Sequence, residues 1–496
     1  MTSSKSKRVM FSAVIRAAVS AVLVTCALAV GQPIIGVDFG SENMKVALLR
    51  PGVPFEIVNN VNGQRNTRAY VAFDQGTRAF GADAVTLAVR KPTQTFSHFR
   101  QMLGRNMEHP ATAQLLDDSY RWPLAIETDE ARGTLRYVRT DLTAEEAAAQ
   151  NTTMTFSVEE IAAMLLAYAR DIGQVQAGGK VRDCVITVPN FFTQHERTAI
   201  LDTAKLVGIN VLALIDDNVA AMTQLGIDIN TPENATKNVL FFNLGSNSLQ
   251  IDIAKFTSRF LKKKGSGKRV LIDEFQVLSK AWDAHVGGSL FDLRLVEHFA
   301  DMFNELLVKK GKTGKEADLR NLKRPIAKLK KSVAKTKKIL GSNKRIPVTI
   351  QGLAFDYDFR AGTVERSTFQ ELIHDLMARL TPPIERALLA ANLTKEEIDD
   401  VELLGGSSRI PGVHVALQAF FGWDQEGKEH PLAVHLNAEE GIALGAVYRA
   451  ANLSRGTHLL TYFLTSSLTY LRTIQQSQQY NWYPTNLLLL TISFYF

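Results

Sequence analysis

Residues 241–253, FFNLGSNSLQIDI, read as an apolar strand, a tight turn of small polar residues and a second apolar strand. Small residues in such a turn let a backbone approach a phosphate. A site that handles a metal ion wants a carboxylate at the strand end, and Asn243 stands there. The same pattern opens the chain: VDFGSENMKVAL (37–48) lies over FNLGSNSLQIDI (242–253), with Asp38 on Asn243, Gly40 on Gly245 and Ser41 on Ser246. Each hairpin heads a stretch of alternating strands and helices, so the repeat predicts two equivalent α/β halves, each giving one turn to a shared cleft.

The elements between the hairpins support this. VEEIAAMLLAYARDIG (158–173) has helical periodicity, VRDCVITVP (181–189) is a buried strand followed by the helix TQHERTAILDTAKLVGI (193–209), and NVLALID precedes the helix DNVAAMTQLGI. That alternation points to mostly buried sheets. Two further glycine motifs add to the cleft: DAHVGGSLFD (283–292), with Gly287 and Gly288 before a helix, and DDVELLGGSSRIPGV (399–413), an apolar strand running into Gly405, Gly406 and Ser407. Plain turns would explain any one of these motifs; together they suit a nucleotide's phosphate, sugar and base.

With 496 residues, 46% hydrophobic and 22% charged, the chain has a globular balance and room for several domains. The net charge of +7 is concentrated in Lys309–Arg345, but Leu322, Ile326, Leu329, Val333, Ile339 and Leu340 recur there at helical spacing. The block therefore reads as an amphipathic helix with a solvated lysine face, not as a nucleic-acid site. Two cysteines exclude a disulfide scaffold and a cysteine-based metal site; Cys184 reads as a small buried hydrophobe. A basic start (Lys5, Lys7, Arg8), an apolar run from Ala17 to Val30 and the small pair Ala27 and Ala29 read as a signal peptide over residues 1–30. An uncleaved anchor is the alternative, although the run is shorter than the roughly 20 residues of a span. The mature chain is then expected in the secretory pathway with no membrane span, and the sequons at Asn151, Asn234, Asn392 and Asn452 are compatible with that.

Five ordered segments, IGVDFGSENMKVAL, VITVPNFFTQHERTAI, ALIDDNVAAMTQLGI, LLGGSSRIPGV and LNAEEGIALGAVYRAA, resemble the nucleotide-binding domain of the 70-kDa heat-shock chaperones. The resemblance runs from about Ile34 to Leu453. It implies an α/β, actin-like ATPase fold of two duplicated lobes around a nucleotide cleft: lobe I over 31–232, lobe II over 233–425 and a closing segment over 426–453 that packs back on lobe I. The first loop, Asp216-Asp217-Asn218 and the leader are more similar to the family's large endoplasmic-reticulum branch. That branch implies a place in the lumen, a lumenal heat-shock chaperone as partner for nucleotide exchange, and unfolded client proteins held through a region beyond this domain.

The resemblance also implies roles. ATP or ADP with magnesium would be the cofactors. Asp38 would orient waters of the metal. Gly40, Ser41, Glu42 and Asn43 would line the phosphates from one wall, and Gly245, Ser246, Asn247 and Ser248 from the other. Gly287 and Gly288 would touch phosphate or ribose, Lys337 and Lys338 would clamp adenine and ribose, Gly405, Gly406, Ser407 and Arg409 would close the base pocket, and Glu439 would stand near the nucleotide. Among the catalytic positions Asp38 is retained, while Arg100 replaces a phosphate-contacting lysine, Asp217 a glutamate and Asn243 an aspartate; a further acidic position is Gln250. Lys337 and Lys338 are alternatively solvated, Arg100 a surface charge and Glu439 a helix cap. An amide neither takes a proton nor contributes charge to a hard cation, and Glu42 adds a negative charge where a triphosphate would sit. Nucleotide binding with slow or absent hydrolysis is the expectation. An active chaperone ATPase is the alternative, and a small-molecule kinase is disfavoured by GGSSRIP. The apolar tail 454–496 reads as a truncated or misread end without a substrate-binding domain, or as an interfacial anchor.

Overall fold

The computed structural model describes residues 32–50, 53–117, 124–139, 145, 154–228, 235–262, 269–423 and 432–454. The expected signal peptide, the tail from 455 onward, Cys26, the sequons at Asn151 and Asn234, and the boundaries at 232/233 and 425/426 lie outside these residues. Among the described residues no helix is long and apolar enough to cross a membrane.

The two hairpins head two sheets of matching design. In the first, β1 (Ile34–Phe39) pairs antiparallel with β2 (Asn43–Leu49) and parallel with β3 (Asp183–Val188), which pairs in turn with β4 (Asn210–Asp216). In the second, β5 (Thr236–Leu244) pairs antiparallel with β6 (Leu249–Lys262) and parallel with β8 (Asp400–Leu404), while β7 (Arg269–Asp283) flanks β6. The register repeats as well: Asp38 faces Lys45 across one hairpin, and Asn243 faces Gln250 across the other. Both first strands are apolar and buried almost throughout, as a sheet covered on two faces requires. The fold is that of an actin-like ATPase, two duplicated lobes around a cleft.

Helices cover the sheets. Those that matter for the site are α1 (Gly81–Arg90), α2 (Val158–Ala177), α3 (Gln194–Val207), α4 (Asp217–Asp228), α5 (Gly288–Lys309), α6 (Lys323–Ser342) and α7 (Gly441–Leu453). The start of α2 is fixed by a reciprocal cap, Glu160 N to Ser157 Oγ at 3.1 Å and Ser157 N to Glu160 Oε2 at 2.7 Å. The basic block is shorter as a helix than its spacing suggests. Its first part finishes α5 and turns through Leu319–Asn321, and α6 begins only at Lys323, with Pro325 in its first turn, where the amide it lacks would be unpaired. Ile326, Leu329, Val333 and Leu340 are buried.

One apolar core fills each lobe, and a third joins them, with Ile215, Ala220 and Val447 packed against Val239, Phe241 and Leu404. The helix α7 lies in that third core, close against β1 and α4. Two glycines permit the approach: a Cβ on Gly36 would sit 2.3 Å from Val447 N, and one on Gly445 would sit 1.7 Å from Ala220 O.

Gly445→Leu is therefore expected to push α7 off the joint and to cost about 2–3 kcal/mol or more by overpacking. The readout is a lowered thermal unfolding midpoint; an unchanged midpoint would contradict the packing.

Candidate nucleotide-binding site

The first wall is the turn from Gly40 to Asn43. A Cβ on Gly40 would lie 2.2 Å from Asn43 O, so the turn closes this tightly only with glycine. Asp38 is buried just before it and accepts from Lys45 Nζ at 3.1 Å. Ser41 and Glu42 project from the turn. The Glu42 carboxylate pairs with Arg68. Burial pushes the Glu42 carboxyl up, but Arg68, Lys337 and Ser246 outweigh it and hold it below the usual carboxylate range.

The second wall is assembled from the other glycine motifs. Gly245 N donates to Ser248 O at 3.0 Å and closes the turn. Gly288 N then donates to Gly245 O at 3.0 Å and Ser289 N to Ser246 O at 2.7 Å, so the Gly287-Gly288 segment is laid directly on the turn. A Cβ on Gly287 would lie 2.5 Å from Ser246 O. Gly405, with φ of +79°, brings its backbone against the end of β5, where a Cβ would sit 2.3 Å from Leu244 O and 2.9 Å from Asn243 Oδ1. Ser407 is buried next to Gly288, and Lys337 Nζ donates to Gly288 O at 2.9 Å and to Asp292 Oδ2 at 2.7 Å. Lys337 is thus committed within lobe II, whereas Lys338 is exposed on the cavity wall. Gly406 faces open space, and Arg409 pairs with Glu439 at 3.0 Å. Asn437, not Glu439, caps the approach to α7, its Oδ1 accepting from Glu439 N at 3.1 Å.

Between the walls opens a cavity of about 760 Å³. Ser41, Glu42, Ser246 and Asn247 reach it from the two turns, and α1 and α6 form its sides. Its size and its small-residue turns fit a nucleotide.

Behind the hairpin turns, and not itself lining this cavity, the floor between the lobes is a buried polar network that crosses from one to the other. Arg100 Nη2 lies 2.8 and 2.7 Å from the two oxygens of Asp217, and Gln250 Nε2 donates to Asp217 Oδ2 at 2.8 Å. Arg100 is therefore no surface charge. Asn243 Nδ2 donates to Asn218 Oδ1 at 2.9 Å. Asp252 Oδ1 accepts from Asn190 Nδ2 at 2.7 Å and from Asn218 Nδ2 at 3.0 Å, and Asn190 N donates to Gln250 Oε1 at 2.8 Å. Arg100, Asp217 and Asn243 thus come together on this floor, while Asp38 is engaged with Lys45 on its own hairpin. Arg68, Asn190, Asn218, Asp252 and Asp292 are additions that sequence reasoning missed. Only Asp252 left a trace in the sequence, as a carboxylate in the otherwise apolar run LQIDI.

The donor set does not match a protein-held metal ion. The second-wall strand end carries amides, both Asp217 oxygens are occupied, and the described residues include no cluster of three or more His, Cys, Asp or Glu side chains that could hold a metal.

A two-lobed clamp of the actin-like ATPase class is what this fold and cleft define. Residues 34–469 match the Hsp70 protein family. The chain belongs to the Hsp70 family, whose members bind ATP or ADP, usually with magnesium. It is 37% identical over 424 residues to hypoxia up-regulated protein 1 of Xenopus laevis, an alignment covering 85% of this chain and 61% of that protein. The human protein of the same name is 35% identical over 442 residues, covering 88% and 41%. Heat shock 70 kDa protein 17 of Arabidopsis thaliana is 35% identical over 429 residues, covering 86% and 46%. The chain thus spans between 41% and 61% of the length of these relatives.

Burial pushes the Asp252 carboxyl up to about 6, against the opposing pull of Asn218, Lys280 and Asn190. A carboxyl raised in the folded state adds no cost below its unfolded pKa of about 4, and an increasing one as pH climbs to about 6, after which the cost is constant. Two pKa units correspond to about 3 kcal/mol. Asp252→Asn keeps the Oδ1 acceptor, so it is expected to raise the thermal midpoint at pH 7.5, with the gain fading below pH 4. A gain that does not depend on pH would contradict this.

Proposed function

We propose that the chain is an ATP- and ADP-binding, chaperone-family protein of the endoplasmic reticulum lumen. It assists folding chiefly as a nucleotide exchange partner of the lumenal heat-shock chaperone and hydrolyses ATP slowly or not at all. One observation carries the reading: four glycine motifs from distant parts of the chain converge on one cleft, while the carboxylates that hydrolysis would need are absent or engaged. Asn243 donates a hydrogen bond where an acid would accept a proton, and Asp217 is saturated by Arg100 and Gln250. Phosphoryl transfer needs an oriented water and charge compensation. On the floor Arg100 is paired with Asp217, and the carboxylate oxygen without a partner, Asp252 Oδ2, is buried.

In this reading Gly40, Ser41, Glu42 and Asn43 line the phosphates from lobe I, and Gly245, Ser246, Asn247 and Ser248 from lobe II. Gly287 and Gly288 approach phosphate or ribose, and Lys338, Gly405, Gly406, Ser407, Arg409 and Glu439 border the base. Magnesium would arrive with the nucleotide, Asp38 turning its waters. Lobe I over 31–232, lobe II over 233–425 and the closing segment over 426–453 are the working divisions. Bound nucleotide would set how the lobes close, and lobe surfaces would open the partner's cleft. The basic and apolar pattern of residues 1–30 supports the lumenal assignment. Unfolded clients would be held by the part of the relatives that this chain does not span.

Two measurements test the proposal. ADP or ATP at a hundredfold excess over Kd should stabilise the chain by about 2.7 kcal/mol, read as a raised thermal midpoint, and no shift with either would remove the nucleotide reading. Mixed with the lumenal chaperone carrying labelled ADP, the chain should speed ADP release in proportion to its concentration. Unchanged release by this chain and by a full-length relative alike would remove the exchange role.

A further inference from the structure

Five cations around the turns, the floor and the base side of the cleft are each paired with a carboxylate of the protein itself, while Lys331, Lys335 and Lys338 stand exposed along the α6 wall of the cavity. Lys45 is paired with Asp38 at 3.1 Å, Arg100 with Asp217 at 2.7 Å, Lys337 with Asp292 at 2.7 Å and Arg409 with Glu439 at 3.0 Å; Arg68 is paired with Glu42. Phosphate sites ordinarily leave such cations free for the ligand. Here one partner differs from the rest in position. Glu42 belongs to the first phosphate turn and faces the cavity, to which the second turn contributes Ser246 and Asn247. Its carboxylate is therefore a resident anion at the cavity wall beside the turns, held by the Arg68 guanidinium. A guanidinium is the kind of donor a phosphoryl oxygen would use.

Resting on the nucleotide reading of this cleft, we propose that Glu42, fixed by Arg68, takes the place of a terminal phosphate, so that the site selects nucleoside diphosphates over triphosphates. Charge decides the selection. Two unit charges 4 Å apart repel by about 4 kcal/mol at an effective dielectric constant of 20, and the cations nearest Glu42, Arg68 and Lys337, are already paired with carboxylates. A diphosphate leaves the Glu42 position to the protein. A triphosphate must either displace the Glu42–Arg68 pair or lie against it.

Isothermal titration of the full chain with ADP and with a non-hydrolysable ATP analogue tests this, with and without magnesium. The chain as it stands should bind ADP at least about tenfold more tightly than the analogue, and this ratio needs no variant. Glu42→Gln and Glu42→Ser, which remove the charge with and without keeping the side-chain shape, should each move the ratio about tenfold or more toward the triphosphate, chiefly by tightening the analogue. Equal affinities in the native chain, or a ratio unmoved by both variants, would overturn the selection by Glu42 and leave the nucleotide site standing. Binding of neither ligand would overturn both readings.

Discussion

The structure depends on one constraint: the cleft floor is buried, polar and shared by two lobes, so its hydrogen-bonding groups must satisfy one another. An unpaired polar group out of water costs about 1–3 kcal/mol, and more if charged. Lobe I offers Arg100, Asn190, Asp217 and Asn218, lobe II offers Asn243, Gln250 and Asp252, and nearly all of their contacts cross the boundary. The lobes are thereby registered to each other by directional bonds, while the third apolar core and α7 supply the non-directional part. Asp252 bears the residual strain of this arrangement, since its Oδ2 has no protein partner and only neutral amides reach Oδ1.

The same constraint separates the two halves chemically. At one register position the lobe I hairpin carries the ion pair Asp38–Lys45 and the lobe II hairpin the amide pair Asn243 and Gln250. An amide can both donate and accept, which suits a floor that must join two lobes without net charge. A carboxylate at Asn243 would face the Asn218 carbonyl oxygen and lie near Asp217, where it would need a cation of its own. In the proposed reading, adaptation to lobe bonding and loss of hydrolytic chemistry would be one change viewed from two sides. At the cleft mouth Glu42 and Arg68 extend the theme, with a charge pair standing where a ligand's charge would otherwise be met.

Much of this was legible in the sequence, and for local reasons. Each hairpin is encoded by two contiguous apolar runs and a glycine turn, so the duplication, the cleft and the convergence of Gly287 and Gly405 on the second turn follow from patterns a few residues long. Helix α6 was legible in its apolar spacing, while its start was set by Pro325 and the preceding turn. The floor was not legible. Nothing beside Arg100 in the chain announces Asp217, and nothing beside Asp252 announces Asn190, because those pairs exist only once the lobes meet. Arg100 shows the difficulty most plainly: its sequence neighbours allow a phosphate contact or a solvated charge, and folding instead buries it against a carboxylate. Arg68 escaped for the same reason, its partner Glu42 being a residue of the turn itself.

The central claim is a nucleotide clamp whose floor binds lobe to lobe in place of performing hydrolysis. Single-turnover hydrolysis of radiolabelled ATP, with enzyme in excess, tests it most directly. The account predicts cleavage by the native chain that is slow or absent under conditions where nucleotide binding is established. Turnover that is readily measured and is abolished by Asp38→Ala would contradict it.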